Sequence, residues 1–304
     1  MTIASPGYDR LDVSVPGGAL ASFRLSTGQP GSDPVLAIHG ITATSRAWLP
    51  VARALDGRVS LVAVDLRGRG ASAGLPAPFG MAAHAADALA VFDQLGVERA
   101  VVVGHSLGAY VTARLAAEHP ERVSAVVLVD GGLTIPAIDG VDPQAFISAF
   151  LGPALARLRM TFASREAYHD WWRAHPALAA SDVADADLVA YADYDLVGEE
   201  PELRSSVAEP AVRADAGELF EMGSAAHRLR VPATFLCAPR GLLNDPNPMQ
   251  PVSLVEPWAA RAPAQRTFSL VPDVNHYSIT LGARGAAAVA EAVVAAGAQA
   301  AAAL

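Results

Sequence analysis

Short apolar runs alternate along this chain with stretches whose apolar positions recur every three or four residues. Near the start, "LDVSV" and "ALASFRL" alternate apolar and polar positions, as half-exposed strands do. "PVLAIHG" and "VSLVAVDLRG" are apolar throughout and end in glycine, the pattern of strands buried on both faces of a parallel sheet. "AVVVGHS", "VSAVVLVDGG", "ATFLCAP" and "RTFSLVP" have the same character. Between them, helices are predicted over 45–55, 81–95, 107–119 and 252–261. Strand–helix alternation of this kind predicts an α/β fold: a mostly parallel central sheet flanked by helices.

The alternation stops between residues 133 and 230, where no strand pattern is evident. Helix starts take over: Asp142 before Pro143, Ser164 before "REAYHDWW", and Glu209-Pro210. Tyr168, Trp171, Trp172 and His175 stand at i, i+3, i+4 and i+7, on one helix face. Residues 133–230 are therefore expected to form an all-helical cap. It would be inserted between the sixth and seventh strands of a core made of residues 1–132 and 231–304. Its aromatic residues, Phe146, Phe150, Trp171 and Trp172, are candidates for lining an apolar substrate pocket. One of the two tryptophans must also serve the cap's own packing.

Composition narrows the picture. Of 304 residues, 52% are hydrophobic and 17% charged, enough apolar material for a sizeable core and no sign of general disorder. A net charge of −9 without a basic patch argues against nucleic acid and against anionic lipid as partners. "MTIASPGYDR" has no basic region followed by an apolar run, so no secretory signal is expected. The Ala-rich end is interrupted by Glu291 and Gln299, which favours a surface helix over a membrane span. A cytoplasmic protein acting on a small molecule is the expectation. The single cysteine, Cys237, cannot form an intrachain disulfide, and its apolar setting predicts a buried strand residue. No H-E-x-x-H and no cysteine cluster occur, so no metal is expected. Gly68, Gly70 and Gly74 miss the dinucleotide-binding spacing, and no cofactor is implied.

The candidate chemistry centres on Gly104-x-Ser106-x-Gly108, which follows a predicted strand and opens a predicted helix. A serine at the apex of such a sharp turn is held with its hydroxyl above the sheet edge. Its neighbours two positions away are crowded and must be small. A serine hydroxyl needs a base. Of eight histidines, His276 is the best candidate, because it follows the last core strand and its loop can reach the elbow. Stabilising an oxyanion requires preorganised N–H donors. The backbone N–H of Leu107, after the serine, is one. That of Ile41, in the loop "HGITATSRAW" after the third strand, is the other.

Taken together and in order, "AIHGITATSRAW", "VAVDLRGRGAS", "VVVGHSLGAYVTARLAAEHPERV" and "VNHY" resemble the α/β-hydrolase superfamily. The resemblance covers about residues 15–132 and 231–295 and implies a Ser-His-acid triad. Asp65, Arg67, Gly68 and Gly70 match a loop that is structural in the family. The family's acid most often follows the seventh strand. Here that position is Asn244, which cannot supply the charge, with Asp245 one residue later. Some members carry the acid after the sixth strand, where this chain has Asp130 in "VLVDGG". A charge at the buried end of a strand needs a partner. Asp130 is favoured and Asp245 is the alternative. The resemblance implies a serine esterase or lactonase acting on a small, largely apolar substrate through an acyl-enzyme. The same triad serves C–C bond hydrolases, amidases and cofactor-free lyases. A non-catalytic ligand-binding member of the fold is the reading from another class.

Overall fold

The uninterrupted apolar runs become the centre of one sheet. A computed structural model describes residues 8–29, 32–134, 143–218 and 222–302, with the side chains of 143–150, 222 and 301–302 outside the description. The strands are β1 (Asp9–Val15), β2 (Gly18–Ser26), β3 (Val35–Ile38), β4 (Leu61–Val64), β5 (Ala100–His105), β6 (Val123–Val129), β7 (Leu196–Val197), β8 (Arg204–Ser205), β9 (Ala233–Cys237) and β10 (Arg266–Leu270). Eight of them form a sheet in the order β1-β2-β4-β3-β5-β6-β9-β10. The pairs β1–β2 and β2–β4 are antiparallel, and every other neighbouring pair is parallel.

Burial follows position. All six residues of β5, in mid-sheet, are buried, whereas edge strand β1 alternates towards solvent. Successive side chains of the central strands point to opposite faces. Val102, Val126 and Ile38 meet one apolar layer; Val101, Val103 and Val127 meet the other. Each such buried valine contributes ~1.5–3 kcal/mol relative to exposure.

The helices are α1 (Leu49–Ala54), α2 (Met81–Leu95), α3 (Leu107–Glu118), α4 (Pro143–Leu158), α5 (Arg165–Arg173), α6 (Pro176–Ala179), α7 (Asp185–Asp195), α8 (Glu209–Gly217), α9 (Val252–Ala260), α10 (Ser278–Leu281) and α11 (Ala283–Ala302). Val91, Val111 and Trp258 place α2, α3 and α9 on one face of the sheet. Val51 and Val289 place α1 and α11 on the other. The helix expected over 45–55 divides into a 3-10 turn, Ser45–Trp48, and α1, with Pro50 in the first turn of α1.

Between β6 and β9 the chain forms α4 to α8, and here the all-helical expectation needs correction. β7 and β8 pair as an antiparallel ribbon, extended by a bridge between Phe162 and Leu203. Two-residue strands are too short to show alternation in sequence. The inserted segment is tied to the core through buried charge. Arg157 of α4 bonds Asp195 at 2.6 Å and donates to the Thr42 carbonyl at 3.0 Å. Asp215 of α8 pairs with Arg69 at 2.6 Å and with His84 at 3.0 Å. Among the described residues no helix is long and apolar enough to cross a membrane.

Candidate active site

Ser106 stands between β5 and α3 with φ +54° and ψ −120°. A non-glycine residue holds this conformation only where its surroundings impose it, at a cost of ~1–3 kcal/mol. The surroundings here are crowded. A β-carbon on Gly104 would run into the Gly108 carbonyl, and one on Gly108 into the Ile38 carbonyl. The two glycines let α3 start directly against β3 and β5. Ser106 therefore sits at the N-terminal end of a twelve-residue helix.

The loop after β3 passes close by. A β-carbon on Gly40 would lie 3.3 Å from Ser106 Cβ. Among the described residues, the N–H groups of Ile41 and Leu107 have no protein acceptor. The Ile41 carbonyl, by contrast, is clamped by Arg69, whose Nε and Nη2 donate to it at 3.0 and 2.9 Å. His39 underpins the same loop. Its Nε2 accepts from Leu66 N–H at 3.0 Å, so its proton is on Nδ1, which donates to the Gly40 carbonyl at 2.7 Å. Burial lowers its pKa to about 3.

His276 is buried in the loop between β10 and α10, and its Nδ1 lies 2.7 Å from Asp130 Oδ2. Asp130 Oδ1 accepts from Ala238 N–H at 3.2 Å. Asp130, at the end of β6, has φ +44° and is 1% exposed. A carboxylate facing Nδ1 keeps the proton there and leaves Nε2 with its lone pair. His105, the last residue of β5, holds this loop from below. Its Nε2 donates to the His276 carbonyl at 2.8 Å, and the two rings pack with centroids 4.7 Å apart. Burial, then the electrostatic influence of the neighbouring His276, lowers the His105 pKa well below its ordinary value.

Asp245 does not meet His276. Its Oδ1 accepts from Asn247 N–H at 3.0 Å, a local turn before two prolines. Asn244 Oδ1 accepts instead from Asn275 Nδ2 at 3.3 Å.

Ser106 and His276 open into one cavity of about 560 Å³. Its apolar wall includes Leu151, Leu242, Leu281 and Met249, with His175, Tyr191 and Tyr277 contributed around it. Trp171 and Trp172 are absent from that wall, which corrects the expectation from sequence. Trp172 is 1% exposed and packs edge-on to Trp171, with centroids 5.0 Å apart, and to Tyr191. Their area is spent within the inserted segment. Phe146 and Phe150 are on α4, but their side chains lie outside the described residues. His175, which the sequence pattern placed on the same helix face as the tryptophans, falls past the end of α5. It caps α6 instead: its Nδ1 accepts from Ala177 N–H at 3.3 Å, leaving the proton on Nε2. Burial, helped by the Arg157 charge, lowers its pKa to about 4.

With this geometry in hand, comparison with known proteins assigns the family. Residues 33–187, just over half of the chain, match the α/β-hydrolase fold family. The chain belongs to that family. It is 40% identical over 107 residues to a protein of Klebsiella pneumoniae (strain 342) named "Putative carbamate hydrolase RutD", a match covering 35% of this chain and 40% of that one. It is 38% identical over 136 residues to the lipase LipV of Mycobacterium tuberculosis, covering 43% of this chain and 50% of the lipase. The matched region thus spans half or less of each of these relatives. Among solved structures, E-2-(acetamidomethylene)succinate hydrolase superposes with a TM-score of 0.77 at 20% identity, covering 95% of this chain and 98% of that one. A thioesterase domain from the curacin biosynthetic pathway superposes with a TM-score of 0.71 at 20% identity, covering 95% and 99%. At such identity these two share the fold.

Proposed function

We propose that this protein is a serine hydrolase that cleaves a carboxylic ester or lactone of a small, largely apolar substrate. The observation that carries the reading is the 2.7 Å contact between His276 Nδ1 and Asp130 Oδ2, on the wall of the cavity that Ser106 opens into. His276 Nε2 takes the Ser106 proton as Oγ attacks the carbonyl carbon. The oxyanion forms against the Ile41 and Leu107 N–H groups, at the positive end of α3. The C–O bond then breaks, His276 returns the proton to the leaving oxygen, and water releases the acyl group from Ser106 by the reverse steps. Asp130 orients the imidazole and stabilises its cation. The inserted helices act as the cap that covers this cavity.

A second reading keeps these groups and changes the bond to a carbamate or amide. The relatives named as carbamate hydrolases favour it, as the lipase favours the first. One experiment tests both: release of nitrophenol from short-chain esters, and of amine or ammonia from amides and carbamates, by wild type and Ser106→Ala. Turnover lost in the variant supports the serine mechanism. Turnover that survives Ser106→Ala rejects the serine mechanism, and no turnover of any of these substrates favours a ligand-binding role.

A further inference from the structure

Three tyrosines end on protein acceptors: Tyr110 donates its hydroxyl to the Leu133 carbonyl, Tyr168 to Asp195 and Tyr194 to Asp65. Tyr191 of α7 differs. It is only 3% exposed, yet among the described residues its hydroxyl has no hydrogen-bond partner. Nor is that hydroxyl sealed off, as the partnerless Trp172 Nε1 is. The open space against Tyr191 is the catalytic cavity, of whose wall it is part. Burial raises its pKa well above the usual phenol range against the pull of Arg157, so it remains a hydroxyl able to donate. A buried polar group without a protein partner calls for one from elsewhere.

Ring contacts place Tyr191 relative to the chemistry. Its ring and that of Tyr277 both pack on Trp172, with centroids 5.4 and 6.1 Å away. Tyr277 in turn packs edge-on to His276, with centroids 6.1 Å apart. Tyr191 therefore stands on the imidazole's side of the cavity. The leaving oxygen takes its proton from His276, so the departing group lies on that side too. Charge decides what kind of acceptor this group carries. No arginine is part of the cavity wall, the chain has no lysine, and none of the residues outside the description is basic. Arg157 is bound to Asp195 at 2.6 Å, and Asp245 puts a carboxylate on the wall. A substrate carboxylate would exchange its water for uncharged donors and a like charge, which is unfavourable.

We propose that Tyr191 determines specificity at the Ser106 site: its hydroxyl donates to a neutral acceptor oxygen, a carbonyl, ether or hydroxyl, carried by the leaving group about one ring's width from the bond that breaks. The inference rests on the Ser106 hydrolase reading and names the class of product released: an otherwise apolar alcohol or phenol with one uncharged acceptor.

The test compares two isosteric esters, 4-acetylphenyl acetate and 4-isopropenylphenyl acetate, whose leaving groups differ by C=O against C=CH2. Each is assayed with wild type, Tyr191→Phe and Ser106→Ala, the last defining the background. Tyr191→Phe is expected to lower the acetylphenyl-to-isopropenylphenyl ratio of kcat/KM about three- to tenfold, as loss of one hydrogen bond to a neutral acceptor does. Both rates come from one sample, so partial misfolding cancels in the ratio, and leaving-group acidity cancels between the two enzymes. The denaturation midpoint of Tyr191→Phe is expected at or above that of wild type, because no bond within the protein is lost. In wild type, 4-carboxyphenyl acetate is expected to fall about tenfold or more below 4-acetylphenyl acetate, once each rate is divided by that for hydroxide. An unchanged ratio, a lowered midpoint, or a carboxyphenyl ester as fast as the acetylphenyl ester overturns the inference, while Ser106-dependent turnover keeps the hydrolase reading. Absence of Ser106-dependent turnover of all three esters removes that reading, and this inference with it.

Discussion

Asp130 and Asp245 both follow core strands, and their surroundings differ. Asp130 is fully buried against His276, whereas Asp245 is half-buried and turned to its own loop. Asp130→Asn keeps the shape but no longer holds the proton on His276 Nδ1 or stabilises the imidazolium. It is expected to lower kcat by ~10³–10⁴. Asp245→Asn is expected to leave kcat for neutral esters within about threefold. Parallel steady-state kinetics on the two variants check this, and the opposite ranking would transfer the acid role to Asp245. Much of this site was legible in the residues themselves. Gly104-x-Ser106-x-Gly108 is a local steric solution, and "VLVDGG" leaves a charge at a buried strand end that demands a partner. The place of His175 in the cavity wall was not legible, because it depends on a neighbour far away in the chain, Tyr277.

At the level of elements, the loop carrying Ile41 is held through residues distant in the chain. Asp215 on α8 grips Arg69, and Arg69 grips the Ile41 carbonyl with two N–H groups. Burial lowers the Arg69 pKa against the opposing pull of Asp215; an arginine guanidinium keeps its charge even when buried. Lysine cannot reproduce this fork. Arg69→Lys is therefore expected to lower kcat by roughly tenfold with little change in KM, since the loop's N–H acts on the oxyanion and not on bound substrate. An equal rise in KM with kcat intact would instead mark Arg69 as shaping the binding pocket. The core elements were readable because buried strands must be continuously apolar and their helices amphipathic. The insertion was readable as helices only. The β7–β8 ribbon leaves no periodic trace, and the aromatic face of α5 gives no sign of whether it packs inward on Phe162 and Tyr191 or lines the cavity.

Over the whole molecule, buried charge and buried neutral histidine coexist. All 22 cationic side chains are arginine, and several are wholly internal, including Arg67 on Asp87, Arg69 on Asp215 and Arg157 on Asp195. Argininium keeps its charge when buried, so these pairs persist across the acid range. His39 and His105 behave in the opposite way. His39 folds as the neutral form, with its pKa lowered from 6.5 to about 3, first by burial and then by the charges of Arg69 and His84. His105 is shifted in the same direction. In the unfolded chain both titrate near 6.5. Between that value and the folded pKa the unfolded state binds more protons, so stability rises with pH there. The contribution is complete above about pH 6.5 and is lost progressively as pH falls towards 3. For His39 alone the loss between pH 7 and pH 5 is about 2 kcal/mol. Chemical denaturation of wild type at pH 7 and pH 5 is expected to show at least that drop, with His105 adding to it. His39→Asn, less stable at pH 7, is expected to show a drop smaller by about 2 kcal/mol, because it has no imidazole to protonate on unfolding. An equal drop in variant and wild type would mean that His39 takes up its proton in the folded state, and that its bond from Leu66 N–H does not hold it neutral.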